Sequence, residues 1–262
     1  MACIFDQTEN CAMLSQLGKA DPPLAVEDEE SVPSTEFGSD AASDLDCSED
    51  ECDCGTTSPF SAEDTILIFD WDNTMLPTTW LEDQGLGLDE QSVPSEGQRE
   101  SLAALAETAR QTLHIAKALG KVVLVTNAEH GWVEMSCKKF MPQLFPSLQG
   151  VKVLSARSTY EWQGIAQPAE WKYLAFESEI DGFCEMFGSE RQKNIISIGD
   201  SPHERWALIR VAERIPNSRA KALKFMERPD LGQLLQEHQI ISDCLGDIVR
   251  YDGSLDVCID RP

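Results

Sequence analysis

The chain has 262 residues and sets 46 Asp and Glu against 21 Lys and Arg, a formal net charge of −25 at pH 7. That balance repels phosphate backbones and anionic headgroups, so binding to nucleic acid or to a membrane surface is not expected. The longest apolar runs, residues 66–69 and 122–125, are far too short to span a bilayer, and the first 30 residues have neither the basic start nor the apolar centre of a signal peptide.

Nine cysteines, an odd number without a framework spacing, suit a reducing compartment. The expected location is therefore intracellular, in the cytoplasm, with the nucleus also open. The charge is uneven. Residues 1–60 hold 15 acidic side chains and the single base Lys19, a net of −14, whereas residues 61–262 hold 31 acids and 20 bases, a net of −11. The first segment is rich in Ser, Pro and Gly and lacks periodic apolar positions. It cannot bury enough surface to offset its ordering entropy and reads as an acidic disordered tail, 1–60. Cys47, Cys52 and Cys54 lie in an acidic tract there, but a fourth soft-metal ligand is missing and the tract reads as solvated.

Residues 61–262 read as one domain. Strand-like runs alternate with helical patterns, which predicts an α/β fold: a three-layer, Rossmann-like parallel sheet with helices on both faces. Residues 66–69 predict the first strand, and a polar, glycine-bearing stretch follows over 82–91. Ser95 is an N-cap candidate, and Leu102, Leu105, Ala109, Leu113 and Ala116 make a helical stripe that stops at Gly120. Residues 121–126 predict the second strand, a helix runs from Gly131 or Trp132 to Phe140, and residues 151–155 predict the third strand. Pro168 precedes a helix striped by Trp171, Leu174, Ala175 and Ile180. Residues 194–198 predict the fourth strand, ending in Gly199-Asp200. Pro202 sits where the next helix begins, continuing from Glu204 to Arg214. A weaker strand near 220–225 leads to a last helix from Pro229 through Leu231, Leu234, Leu235 and Ile240. The Trp and Leu stripes read as core.

The chemistry concentrates where strands end. Residues 65–80 read Thr-Ile-Leu-Ile-Phe-Asp-Trp-Asp-Asn-Thr-Met-Leu-Pro-Thr-Thr-Trp. Alternate residues of a strand face the same way, so Asp70 and Asp72 at its C-terminal end can converge on one point. With a divalent ion, one carboxylate can attack while the other moves protons. Phosphate-ester cleavage further needs ligands for that ion and groups that neutralise the phosphoryl. Thr126 with Asn127 after the second strand, Lys172 early in a helix, and Asp200 with Glu204 after the fourth strand supply candidates. Each has a plainer reading as a solvated strand end, a strand-terminal hydroxyl or a surface lysine. His203, inside the last of these segments, reads as a surface helix residue.

Asp70, Asp72 and Thr74, then Thr126, Lys172 and Asp200 in that order, resemble the four motifs of the haloacid dehalogenase (HAD) superfamily across residues 66–204. The resemblance implies that Asp70 attacks phosphorus and becomes an aspartyl phosphate. It makes Asp72 the general acid and base, which favours a phosphatase over a dehalogenase. It gives Thr74, Thr126 and Asn127 to the substrate phosphate and Lys172 to charge neutralisation. Mg²⁺ would be held by Asp70, by Asp72 through its backbone carbonyl, by Asp200 and by Glu204, which stands where many members carry Asp. The phrase Asp-Trp-Asp-Asn-Thr-Met-Leu-Pro-Thr-Thr-Trp also resembles an uncharacterised HAD-like group of plants and protists.

The expected function is Mg²⁺-dependent hydrolysis of a phosphomonoester. The alternative is a catalytically idle HAD-fold scaffold or regulator whose acidic tail recruits partners, and transfer to an acceptor other than water stays open. Superfamily members select substrates largely with inserted caps. Here about 50 residues separate Asp72 from the second strand and 45 lie between Thr126 and Lys172, too few for a cap domain in either place. Residues 76–91 make only a small flap, with Trp80 either closing over the site or serving as core. An open site goes with bulky substrates, so a phosphoprotein is the expected partner; oligomeric state is not legible.

Overall fold

The computed structural model describes residues 59–187 and 191–259 together with a two-residue strand, β1 (Gly18–Lys19). Otherwise the acidic segment, with Cys47, Cys52 and Cys54, lies outside the described residues. Six parallel strands form the sheet: β2 (Thr65–Phe69), β3 (Lys121–Thr126), β4 (Lys152–Ser155), β5 (Lys193–Gly199), β6 (Ser218–Lys224) and β7 (Leu255–Cys258). Their order is β7-β6-β5-β2-β3-β4, and β1 pairs antiparallel with β7 at the edge.

Helices cover both faces. α1 (Thr78–Asp83) and α2 (Glu96–Leu119) follow β2, and α3 (Trp132–Phe140) follows β3. α4 (Ala156–Tyr160) and α5 (Pro168–Phe187) follow β4, α6 (Pro202–Ala212) follows β5, and α7 (Leu231–Arg250) follows β6. The central strand is apolar at successive positions because both of its faces are covered. Leu67 and Phe69 join a core with Leu105 of α2, Cys137 of α3 and Leu245 of α7. Ile66 and Ile68 face the other way, onto Phe176 and Ile180 of α5 and Leu208 of α6. Burying each such aliphatic side chain contributes about 1.5–3 kcal/mol.

Local signals set most element ends. Ser95 Oγ accepts from the Gln98 amide (3.3 Å) while Gln98 Oε1 accepts from the Ser95 amide (2.8 Å), a reciprocal cap worth about 1 kcal/mol at the start of α2. At the other end, a Cβ on Gly120 would lie 2.5 Å from the Thr65 carbonyl oxygen, so only glycine lets the chain turn this close beneath β2.

Besides the two-residue β1, which lies in the segment read as an acidic tail, three strands and α-helices differ from the sequence reading by being present at all: α1, α4 and β7. All three are short, six, five and four residues, and carry too few periods of any apolar pattern to be read. α7 continues past Ile240 to Arg250 because Cys244, Leu245, Ile248 and Val249 extend its buried stripe. Among the described residues no helix is long and apolar enough to cross a membrane.

The chain builds outward from β2 through β3 and β4, then returns to β2's other side for β5, β6 and β7. The order reverses between β2 and β5, and the crevice beyond the carboxyl ends of two such strands is where open α/β sheets hold their ligands.

Candidate functional site

Asp70 follows β2 and Asp200 follows β5, so the two carboxylates enter that crevice from adjacent strands. The Asp70 backbone amide donates to the Ile198 carbonyl (2.9 Å), which carries the pairing one residue past β2. Lys172, in the first turns of α5, is 1 % exposed. Its Nζ donates to Asp70 Oδ1 (2.5 Å) and to the Val125 carbonyl (2.9 Å) and pairs with Glu204 Oε1 (2.9 Å). The three ammonium protons thus have three acceptors. Burial works against the charge, but Asp70 and Glu204 outweigh it and hold the ammonium above its ordinary value.

Glu204 is set by its own helix end. As the third residue of α6 it accepts at Oε2 from the Ser201 amide (3.0 Å) and the Ser201 hydroxyl (2.7 Å), a capping box. Burial pushes its carboxyl up, yet Lys172 and Ser201 prevail and hold it below the ordinary value. Gly199 leaves room for this side chain, because a Cβ there would come within 2.5 Å of Glu204 Cγ. Gly199→Ala is accordingly expected to displace Glu204 from Lys172 and Ser201 and to destabilise the fold by about 1–3 kcal/mol, read by urea unfolding.

With Lys172 shared, Asp70 and Asp200 have no cation of their own among the described residues. Burial pushes Asp70 up to about 7, with Lys172 opposing and the charges of Glu204 and Asp72 adding to the rise. Asp200 is pushed up to about 8 by burial, by Asp70 and by Glu204, against a hydrogen bond from the Asn73 side chain and the more distant Lys172 charge.

Asp72 is half-buried and held by three donors. Oδ1 accepts from Thr78 Oγ1 (2.6 Å) and from Trp132 Nε1 (2.8 Å), and Oδ2 accepts from Thr126 Oγ1 (3.1 Å). The Thr126 oxygen in turn accepts from the Ala128 amide (2.9 Å). Asn73, directly after Asp72, has φ of 55°, a left-handed conformation that asparagine tolerates better than most residues. Its Oδ1 accepts from the Thr79 amide (2.9 Å) and its Nδ2 donates to the Glu227 carbonyl (3.1 Å), tying the loops after β2 and β6 together.

The structure therefore brings Asp70, Lys172 and Glu204 into direct contact, joins Thr126 to Asp72, and places Asp200 within the field of Asp70. Thr74 stands apart: it is fully buried, its carbonyl faces His238, and its hydroxyl has no hydrogen-bond partner among the described residues. Asn127 donates from Nδ2 to the Pro168 carbonyl (3.2 Å), and its buried Oδ1 has no partner among the described residues. His203 is half-buried, with its amide on Ser201 Oγ (3.1 Å). Trp80 is partly buried against the larger core cluster. Trp132, Thr78 and Asn73 were not among the sequence candidates. The position of Asn73 between two motif residues was the one readable signal; nothing in the spacing ties Trp132 or Thr78 to Asp72.

Among the described residues no three or more His, Cys, Asp or Glu side chains gather closely enough to hold a metal ion. The donor chemistry at Asp70 and Asp200 nevertheless fits a hard cation: two buried carboxylates, both raised, beside one ammonium that Glu204 already shares.

Outside this cluster, α7 buries another carboxyl. Glu237 Oε1 accepts from the Met226 amide (2.7 Å), Oε2 has no partner among the described residues, and burial pushes the group up to about 8. A carboxyl raised above its unfolded value of 4.5 stabilises the fold at low pH and loses that contribution as pH climbs through 4.5 toward 8. Glu237→Gln keeps the acceptor for Met226 and is expected to flatten that decline, with a gain of about 1–3 kcal/mol above pH 8 in urea melts.

The fold and the crevice thus define an α/β protein with an acid-rich site built around one buried ammonium. No protein-family model, curated protein or solved structure matches the chain significantly.

Proposed function

We propose that this chain is a HAD-type, Mg²⁺-dependent phosphatase without a cap domain. The observation that carries the reading is the Lys172 ammonium, buried at the topological switch point and shared by Asp70, Glu204 and the Val125 carbonyl. A buried lysine fixed on the first aspartate of an Asp-x-Asp pair suits a nucleophile that must accept a phosphoryl group.

In this mechanism an Asp70 carboxylate oxygen attacks phosphorus, forming an O–P bond as the ester O–P bond breaks. Asp72 gives its proton to the departing alkoxide, so the product leaves as an alcohol. Water then attacks the aspartyl phosphate, Asp72 takes the proton, and inorganic phosphate and free Asp70 are released. Lys172 offsets charge on Asp70 and on the phosphoryl oxygens; the Thr126 hydroxyl donates to Asp72 and the Asn127 amide to the Pro168 carbonyl, so each would donate to the phosphoryl only by leaving that partner. Thr78 and Trp132 fix the direction of the Asp72 carboxylate, which proton transfer to a particular oxygen requires. Asp70 and Asp200, with the Asp72 carbonyl, would hold Mg²⁺, and when bound the ion supplies the positive charge that favours ionised carboxylates and offsets the incoming phosphate. Glu204 is committed to Lys172 and Ser201 and acts through them.

Only the short α1 and its flanking loops rise between β2 and α2, so the crevice suits a phosphate carried on a bulky partner, with a phosphoprotein as the leading class. A complete set of acid, base and ammonium favours turnover over an idle scaffold. Hydrolysis of para-nitrophenyl phosphate with Mg²⁺, abolished by EDTA, is the expected result. Absence of turnover on this ester and on phosphopeptides, with Mg²⁺ present, would overturn the reading in favour of the scaffold.

A further inference from the structure

We propose that His238, on α7, is a positioning residue for this centre: its buried imidazole fixes the Asp72-bearing turn through the Thr74 carbonyl. The inference rests on the phosphatase reading above and extends it to a side chain outside the crevice.

His238 is completely buried. Its Nε2 lies 2.8 Å from the Thr74 carbonyl oxygen and its Nδ1 lies 3.0 Å from Thr112 Oγ1 on α2. A carbonyl can only accept, so Nε2 carries the proton and Nδ1 is the acceptor. Thr112 must then donate its proton to Nδ1, since a buried acceptor without a donor is costly. That leaves the Ser242 hydroxyl, 2.9 Å from Thr112 Oγ1, as donor in the last link. With a neutral ring the carbonyl contact places the proton on Nε2, and Thr112 Oγ1, which also lies 3.2 Å from the Thr108 carbonyl, turns its proton to Nδ1. Burial holds the imidazole down to about 4, which keeps it neutral, and Phe225 closes one side edge-on at 5.7 Å between ring centres.

The backbone of the turn it reaches closes on itself, while the side chains of Trp71, Asp72 and Asn73 reach out to Ser136, to Thr126 and Trp132, and to the Glu227 carbonyl. The Trp71 carbonyl accepts from the amides of Met75 (2.8 Å) and Leu76 (2.9 Å), folding residues 71–76 into a compact loop. Within that loop the Thr74 carbonyl points away from the internal bonds and into the core, where His238 meets it from 164 residues along the chain. The loop carries Asp72, whose carboxylate must reach a leaving oxygen. A slip of an ångström there costs about 100-fold in rate without removing any catalytic group.

Two amide replacements separate the ends of the ring. His238→Gln places its side-chain amide near Nε2 and keeps a donor for Thr74, whereas His238→Asn reaches only as far as Nδ1 and leaves the Thr74 carbonyl unpaired. The probes are para-nitrophenyl phosphate, whose leaving group needs little protonation, and β-glycerophosphate, whose alkoxide needs a proton from Asp72. The expected result for His238→Asn is about a 100-fold loss of kcat/KM on β-glycerophosphate and less than about tenfold on the aryl ester. His238→Gln should restore most of the loss. Parallel losses on both esters, or equal losses in both variants, would reduce His238 to a core residue and overturn the proposal. The imidazole ¹⁵N spectrum of the unsubstituted protein tests it without any variant: protonated Nε2 is expected, and protonated Nδ1 would overturn it. An unsubstituted protein inactive on both esters and on phosphopeptides, with Mg²⁺ present, would instead defeat the phosphatase reading, and the positioning role with it.

Discussion

Asp70→Asn is expected to abolish turnover, by about 10⁴-fold or more, while leaving the fold as stable as before or more so. The amide has the shape of the carboxylate, and its oxygen can still accept from Lys172, which keeps its other partners Val125 and Glu204. What is lost is the nucleophilic oxygen anion. What is gained is relief from burying a carboxyl whose folded value stands at about 7 against 3.8 for an exposed one. Below 3.8 the unfolded chain is protonated too and the group makes no difference. As pH rises from 3.8 toward 7 the unfolded carboxyl ionises freely while the folded one resists, so stability falls through that window and is flat above it. The variant should therefore match the parent near pH 4 and exceed it by about 1–3 kcal/mol above pH 7. Urea unfolding at those two pH values, in EDTA, checks the stability half; ester hydrolysis with Mg²⁺ checks the other. A variant that lost both stability and activity would place Asp70 among the structural residues.

Lys172→Met is expected to have the opposite stability signature, a loss of about 3–5 kcal/mol at neutral pH together with loss of turnover. Methionine fills most of the space, so the damage is electrostatic: Asp70 and Glu204 remain buried, and neither keeps a cation. In the parent, Lys172 and Ser201 hold Glu204 below its ordinary value of 4.5, so its contribution is present above that pH and is lost as pH falls through the lowered value. In the variant both carboxyls take up protons instead. The gap between parent and variant should close on acidification and widen toward alkaline pH, which two urea curves either side of pH 5 would show. An equal gap at both would mean that Lys172 acts through packing alone. Because one substitution at the Asp70–Lys172 pair should stabilise and the other destabilise, the two melts together test whether the cluster is strained by excess negative charge.

Much of this could be read from the chain because the relevant physics is local. The buried runs 66–69 and 122–125 are strands whose continuous apolar character reflects cover on both faces, the run 194–198 is buried despite Asn194 and Ser197, and Ser95 caps a helix through a residue three positions away. Asp70, Thr126 and Asp200 were visible as polar residues ending apolar strands, and a parallel sheet puts such ends along one edge. The short elements α1, α4 and β7 were not visible, since four to six residues carry no periodicity.

Partnership across the sheet was decided by the tertiary structure. Lys172 meets Asp70 from 102 residues away, and that distance closes only because α5 packs on the face presented by β2 and β3. Glu204 looked like a metal-supporting acid from its spacing, but the capping geometry of α6 and the space left by Gly199 turn it onto Ser201 and Lys172. Trp132, Thr78 and His238 carry no local mark of what they touch. Their hydrogen bonds to Asp72 and Thr74 exist because strand order brings the ends of β2 and β3 side by side and lays α2 and α7 together beneath them. A sequence encodes its helices and strands through neighbours two to four residues apart. The charge balance of a buried site depends on which distant groups the packed core excludes from water together, and that is settled only when the layers close.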